Sequence, residues 1–361
     1  MGITCGIVGL PNVGKSTLFN ALTAAGAVAA NYPFATVDPN VGVAAVPDPR
    51  LDEIAAIVKP KSVVPTAIEF TDIAGLVAGA SSGEGLGNQF LGHIRDVDAI
   101  AHVVRVFDDP NVSHVGGRVD PVADIETIHT ELALADLGTV ERAADRQGRR
   151  ARSGDSDAGA AVAVIAKLEA ALAEGKPARS VALSDLERLR ARELHLLTAK
   201  PMLYVANVDE DIAPELLDAV AETVAAEGSE LVVIHGQTEA EIAELPVQDR
   251  ADFLAEMGLE EPGLNKVIRA AYRALGLSTF FTASEKEARA WTFRTGATAP
   301  QAAGQIHTDF EKGFIRAEII SYDDFVTLGG EAAAKQAGKW RLEGKDYVVQ
   351  EGDLIHFRFN V

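Results

Sequence analysis

The sequence predicts an α/β protein with a mostly parallel sheet, a helical insertion and a smaller C-terminal α+β domain, and three observations predict it. A short apolar run of strand length, Ile3 to Val8, leads directly into a glycine-containing turn and then a helical stretch from Ser16 to Ala25. After Pro121, two long stretches repeat apolar residues at alternating steps of three and four. From about Leu277 the pattern changes again, to period-two strands around one helix. A chain of 361 residues is too long for one ordinary core and fits two or three domains.

The turn after the first strand reads Gly-Leu-Pro-Asn-Val-Gly-Lys-Ser-Thr from Gly9 to Thr17, the spacing of a phosphate-binding P-loop. Gly9 and Gly14 can take backbone angles closed to other residues. The main chain of Asn12, Val13, Gly14, Lys15, Ser16 and Thr17 can therefore wrap phosphate oxygens with its N–H groups. Lys15 supplies a charge for the β and γ phosphates, the Ser16 hydroxyl can ligate Mg²⁺, and the N-terminal end of the following helix faces the same anions. Asn31 to Pro39, broken by Pro33 and Pro39, is a loop. In nucleotide switches such a loop carries a threonine that reaches the metal, and Thr36 is the candidate.

Thr66 to Thr71 is a β-rich run ending in Asp72-Ile-Ala-Gly75. An aspartate at the end of a strand beside a P-loop can hold Mg²⁺ through water, and Gly75 can offer its N–H to a γ-phosphate. Gly79, Gly83, Gly85 and Gly87 follow, a density expected of a segment that changes shape. Leu76 stands where hydrolysing switch proteins commonly carry a water-orienting glutamine. Leucine cannot hydrogen-bond water, so either hydrolysis is intrinsically slow or the water is held by another group.

Ala99 to Phe107 is a third, buried strand, Asp108 to Asn111 turns the chain, and His114 follows in a loop, where a histidine is by default solvated. Ile125, Ile128, Leu132 and Ala135 form one helical stripe. After a break from Ser153 to Gly159, Ala161, Ile165, Leu168 and Leu172 form another, and the two predict an antiparallel hairpin. Arg142, Arg146, Arg149, Arg150 and Arg152 gather near its turn. The net charge of −20 argues against nucleic-acid binding by the whole surface, so this cluster is the candidate contact for phosphate backbones or an acidic protein surface. A solvated tip is the equal alternative. A third helix, Ser184 to Leu197, leads to a buried strand, Met202 to Ala206.

That strand ends in Asn207-Val-Asp-Glu210, where guanine-reading proteins typically carry Asn-Lys-x-Asp. Val208 and the longer Glu210 carboxylate disfavour guanine. Leu231 to Ile234 is one more strand, and His235 to Thr238 lacks the Ser-Ala-Lys often found next. The last section alternates at Thr279 to Ala283, Arg289 to Phe293, Ile315 to Ile320, Tyr347 to Gln350 and Leu354 to Phe359, with a helix near Pro300 to Glu311. The single cysteine, Cys5, excludes an internal disulfide, and no apolar run approaches bilayer length. A cytoplasmic location is expected, with no membrane contact and no DNA specificity.

Beyond the P-loop, the motifs Asp-Ile-Ala-Gly-Leu-Val, Gly-Glu-Gly-Leu-Gly-Asn-Gln-Phe-Leu, Asn-Val-Asp-Glu, His-Thr-Asp-Phe-Glu-Lys-Gly-Phe-Ile-Arg-Ala-Glu and the ending Gly-Asp-Leu-Ile-His-Phe-Arg-Phe-Asn-Val together resemble the YchF, or Obg-like ATPase, family. The resemblance covers essentially the whole chain. It implies a G domain over residues 1–120 and 201–276, a helical coiled-coil insertion over 121–200 and a ubiquitin-like β-grasp (TGS) domain over 277–361. It also implies ATP preferred over GTP, with Asn207 and the backbone at Val208 near the adenine, and a histidine matching His114 acting in hydrolysis in place of the glutamine that Leu76 replaces. Ribosome association and a part in translation or stress responses follow from the same resemblance. Two further readings stand beside an ATP-hydrolysing switch: a nucleotide-gated scaffold with negligible turnover, and a conventional GTPase.

Overall fold

The computed structural model describes residues 3–26, 40–75, 86–109, 112–114, 117–209 and 213–360. In chain order its elements are β1 (Thr4–Val8), α1 (Lys15–Gly26), β2 (Val41–Ala45), α2 (Pro49–Val58), β3 (Ser62–Val64), β4 (Ala67–Asp72), α3 (Leu86–Asp96), β5 (Ala99–Arg105), α4 (Pro121–Arg152), α5 (Ser156–Ala173), α6 (Asp185–Arg192), β6 (Met202–Asn207), α7 (Pro214–Ala226), β7 (Glu230–Ile234), α8 (Gly236–Glu244), α9 (Val247–Glu256) and α10 (Gly263–Ala274). There follow β8 (Leu277–Ala283), β9 (Glu287–Arg294), α11 (Ala299–Ile306), α12 (Thr308–Lys312), β10 (Phe314–Ser321), α13 (Tyr322–Leu328), α14 (Glu331–Gln336), β11 (Arg341–Glu343) and β12 (Asp353–Phe359). They form two compact units, Met1–Val43 with Glu69–Ala271, and Ala44–Ile68 with Tyr272–Val361.

The first unit is built on a sheet of order β2-β4-β1-β5-β6-β7. β1 runs parallel to β4 and β5, β5 to β6, and β6 to β7. Every residue of β5 and β6 is buried, which is why both read as continuous apolar runs instead of alternating ones. Parallel pairing brings the C-terminal ends of the strands to one edge, and the register sets Ile7 opposite Asp72 and Arg105 opposite Asn207 there. Ligands of open parallel sheets collect at this edge.

The insertion is the expected hairpin, with a different division of labour along α4. Asp120 caps this helix by accepting from Ala123 N, Pro121 occupies its first turn, and it runs for 32 residues. Ala133, Val140 and Ala143 pack on Val164, Ile165, Leu168 and Leu172 of α5. Ile125, Ile128 and Leu132, placed in the hairpin stripe by their spacing, are buried outside that hairpin cluster, and Ala135 does not join it. The break after Ser153 is shorter than expected because Asp155 caps α5, accepting from Asp157 N and Ala158 N. α6 starts from a Ser184–Glu187 capping box but stops at Arg192, and Leu197 lies in a separate 3₁₀ turn. Asp136 fixes that turn to α4, accepting from Leu197 N (2.8 Å), Thr198 N (2.7 Å) and Thr198 Oγ1 (2.7 Å).

The second unit has strand order β11-β10-β12-β8-β9-β3. β8 and β12, its first and last C-terminal strands, lie side by side and parallel, flanked by antiparallel β9 and β10, which is the ubiquitin-like β-grasp. Successive residues of a strand face opposite sides. Phe280, Ile319 and Ile355 enter one core with Ala299, Ala302 and Ala303 of α11, whereas their neighbours Phe281, Ile320 and Leu354 enter a second with Leu51 and Ile54 of α2 and Phe325 of α13. A sheet apolar on both faces needs two covers, and the upstream segment supplies the second. Ala44–Ile68 therefore folds with the C-terminal unit, with β3 paired parallel to β9, although the sequence reading gave all of residues 1–120 to the first section. The single helix expected near 300–311 is two, α11 and α12, divided at His307, which caps the second by accepting from Asp309 N. The strand expected at Tyr347 to Gln350 is only an isolated bridge between Thr298 and Val348, and the edge strand beside β10 is β11. Among the described residues no helix is long and apolar enough to cross a membrane.

Candidate nucleotide site

β1 stops at Val8 and α1 begins at Lys15, so Gly9 to Gly14 is the connecting loop. Asn12 (φ 63°) and Gly14 (φ 99°) both take the left-handed region and curl the chain into a nest for an anion. Glycine is required at both ends of this loop. A Cβ at Gly9 would stand 2.6 Å from the Val103 carbonyl oxygen, and one at Gly14 would collide with the Asn207 amide. Ser16 and Thr17 are exposed at the start of α1, while Val13 anchors the loop in the core. Lys15 is only 8% exposed, and its Nζ donates to the Leu10 carbonyl at 2.7 Å. Burial lowers the pKa of its ammonium, and the charge of Asp72 partly offsets this.

The second strand delivers its residues to the same place. Ser16 Oγ donates to Asp72 Oδ2 at 3.2 Å, while Asp72 Oδ1 is buried with no hydrogen-bond partner. A Cβ on Gly75 would lie 3.0 Å from Lys15 Nζ and 3.3 Å from Pro11 N, so the chain there passes directly against the loop. The structure thus brings together Lys15, Ser16, Asp72 and Gly75. Among the described residues no group of three or more His, Cys, Asp or Glu could hold a metal on its own. One hydroxyl beside a carboxylate with an unsatisfied oxygen suits Mg²⁺, which takes few protein ligands and completes its shell with phosphate and water. Thr36 and Leu76 lie outside the described residues.

At the end of β6, Asn207 is 7% exposed and its amide works inside the protein. Nδ2 donates to the Val13 carbonyl at 3.1 Å, and Oδ1 accepts from Gly236 N at 2.9 Å. It is a tie between the phosphate loop and the turn after β7. Val208 is buried with its N–H donating to the Ile234 carbonyl at 2.9 Å, and Glu210 lies outside the described residues. The stretch from His235 that lacks Ser-Ala-Lys starts α8 at Gly236, where a Cβ would lie 2.6 Å from Asn207 Oδ1. Glu239 of that helix caps α10, accepting from Gly263 N (2.6 Å) and Leu264 N (3.2 Å). Asp209, which sequence reasoning passed over, has its Oδ1 buried without a partner beside this edge. An acidic residue two positions after a wholly buried strand was the available signal.

His114, read from sequence as a solvated loop residue, is instead largely buried, its side chain 8% exposed. Its Nε2 donates to Asp124 Oδ2 in the first turn of α4 at 3.0 Å. The preceding residue is pinned to the phosphate loop, because Asn12 Nδ2 donates to the Ser113 carbonyl at 3.1 Å. Arg105, buried at the end of β5, gathers the same loop by donating to the carbonyls of Phe107 (3.0 Å), Asp109 (3.4 Å) and Ser113 (3.5 Å). Neither Arg105 nor Asp124 was singled out from sequence. A charged residue ending a buried apolar strand, and an aspartate in the first turn of a long helix, are features with commoner structural explanations.

Residues 4–137 match a family described as 50S ribosome-binding GTPase, and residues 277–360 match the C-terminal domain family of YchF GTPases, described as a protein of unknown function (DUF933). The chain is 59% identical over 363 residues to the ribosome-binding ATPase YchF of Haemophilus ducreyi and 56% identical over 366 residues to that of Bacillus subtilis, in each case covering 100% of both chains. The solved structure of the Schizosaccharomyces pombe YchF GTPase matches with a TM-score of 0.88 at 38% identity, covering 99% of this chain and 98% of the other. A GTP-binding protein from Pyrococcus horikoshii shares the fold, with a TM-score of 0.64 at 19% identity over 99% of this chain and 100% of that one. Identity of this order along the full length leaves one assignment: the chain belongs to the YchF family.

Proposed function

We propose that this protein is a cytoplasmic, Mg²⁺-dependent ATPase that prefers ATP to GTP, associates with ribosomes and modulates translation or a stress response according to its nucleotide state. The observation that carries the reading is the meeting of Lys15, Ser16, Asp72 and Gly75 at the edge of the parallel sheet, in a chain 59% identical to a protein named for ribosome binding and ATP hydrolysis. The loop from Asn12 to Thr17 would cradle the phosphates, with Lys15 leaving the Leu10 carbonyl for the β and γ oxygens. Ser16, and Asp72 through water, would hold Mg²⁺, which supplies charge neutralisation across those oxygens. Gly75 N–H would mark the γ-phosphate, and His114 would orient the attacking water in place of the glutamine that Leu76 replaces. Asn207 would serve the phosphates by fixing the loop at Val13, with the main chain at Val208 against the adenine and Glu210 too long to pair with guanine. The exposed Arg146, Arg149 and Arg152 at the hairpin end support contact with ribosomal RNA in an otherwise acidic protein.

The S. pombe relative carries the name GTPase, which favours the conventional-GTPase reading as the second. ATP and GTP affinities and turnover, measured side by side with Mg²⁺ and with and without ribosomes, separate the two. Tighter binding and faster hydrolysis of ATP are expected. A preference for GTP would overturn the base assignment, and nucleotide binding without turnover in either condition would leave a scaffold.

A further inference from the structure

The loop that carries His114 is held from two sides. Its backbone is fixed at Ser113, whose carbonyl accepts from Asn12 of the phosphate loop and from the buried Arg105 guanidinium. That guanidinium also stacks 4.5 Å from the centre of the Phe107 ring. The imidazole is held separately, by the 3.0 Å bond from Nε2 to Asp124 Oδ2, with both side chains less than a tenth exposed. Water therefore competes poorly for either partner, and a charge-assisted bond in that setting is a strong one.

Asp124 cannot accompany the ring elsewhere. It sits in the first turn of α4, where its N–H donates to the Asp120 carbonyl at 3.0 Å and Pro121 and the Asp120 cap fix the helix start. Nor would it help beside a triphosphate, since a carboxylate held against the γ-phosphate oxygens adds like-charge repulsion. A ring carried from the foot of α4 to the γ-phosphate leaves this bond behind, because Asp124 stays with the helix. We propose that Asp124 is a positioning residue that latches His114 at the foot of the helical insertion, so that turnover draws only on molecules in which the latch is open. This rests on the reading above in which His114 orients the attacking water.

The latch acts on population. Replacing the carboxylate by a neutral amide keeps the shape and weakens the bond, so the open fraction and kcat rise together, by about fivefold to tenfold. Steady-state turnover, ATP affinity and melting temperature of the full chain, with Mg²⁺ present, test this in four variants. Asp124→Asn should raise kcat by that factor with ATP affinity changed less than about twofold. Asp124→Glu, which keeps the charge on a longer arm, should raise it less. His114→Ala should lower kcat, and adding it to Asp124→Asn should remove the whole gain. Unchanged or lower kcat in Asp124→Asn, with His114→Ala still impaired, overturns the latch and leaves the histidine reading standing. Wild-type turnover in His114→Ala overturns the histidine reading itself. A measurement on the unmodified protein is independent of how the variants fold: the ¹⁵N signals of the His114 ring should lose the carboxylate-bonded Nε2–H signature when Mg²⁺ and a non-hydrolysable ATP analogue bind. Persistence of that signature in the saturated complex would overturn the latch as well.

Discussion

Asn207→Ala separates two ways in which the end of β6 could serve the nucleotide. The asparagine side chain donates to the Val13 carbonyl at 3.1 Å and accepts from Gly236 N at 2.9 Å, both in buried surroundings. Truncation leaves a carbonyl and an N–H unpaired, at about 1–3 kcal/mol each, so the fold should lose about 2–6 kcal/mol in total. It also unties the phosphate loop. If about 1.4 kcal/mol of loop ordering then has to be supplied by the ligand, nucleotide affinity falls about tenfold. Because the loop touches phosphates and not the base, ATP and GTP should lose affinity by the same factor. Denaturant unfolding gives the first quantity, and titration with fluorescent ATP and GTP analogues gives the second. A loss confined to ATP, with stability unchanged, would refute the tie and make Asn207 a direct reader of adenine.

Three further outcomes follow from the same geometry. Asp72→Asn should raise the Mg²⁺ concentration needed for half-maximal ATP hydrolysis by about tenfold or more. Its melting temperature without nucleotide should not fall, since the buried oxygen it replaces has no partner to lose. Burial holds the His102 pKa well below 6.5, with the charges of His129, Lys15 and Arg179 adding to the effect. The unfolded chain therefore takes up a proton that the folded one refuses, so stability present above pH 6.5 is lost as pH falls, at up to about 1.4 kcal/mol per pH unit. His102→Gln should flatten that acid slope in unfolding curves, leaving the smaller contribution of His129, whose pKa burial lowers in the same direction. At the hairpin end, Arg150 is engaged with Asp155 at 2.8 Å, so charge reversal belongs at the exposed Arg146 and Arg149. The double change to Glu should weaken ribosome binding and reduce the slope of log affinity against log salt by about 1.4–1.8. An unchanged slope would make the tip a solvated end.

What could be read from sequence was whatever depends on local spacing. The phosphate loop is legible because its residue types fit a known local pattern, with Gly14 at a positive φ and Lys15 and Ser16 at the places where that pattern carries its charge and its hydroxyl. β5 and β6 are legible because a strand buried on both faces has only one vocabulary. The second unit shows where spacing fails. Phe280 and Phe281, Ile319 and Ile320, and Leu354 and Ile355 are adjacent apolar pairs, which say that both faces of that sheet are covered. They do not say by what, and the cover, α2, lies more than two hundred residues upstream. The site divides in the same way. Lys15, Ser16, Asp72 and Gly75 belong to two short motifs, and the parallel pairing of β1 with β4 is enough to bring them together. Asp124 and Arg105 act on His114 only through the folded loop, one holding its ring and the other the carbonyl before it. Their meaning lies in a three-body arrangement that no spacing encodes. Asn207 shows the limit of motif reading most directly. Its position in Asn-Val-Asp-Glu points to the base, yet its two hydrogen bonds run to Val13 and Gly236. In this protein the asparagine of a base-recognition motif is engaged with the phosphate loop, and on the function proposed above selectivity for the base falls to the main chain and carboxylates that follow it.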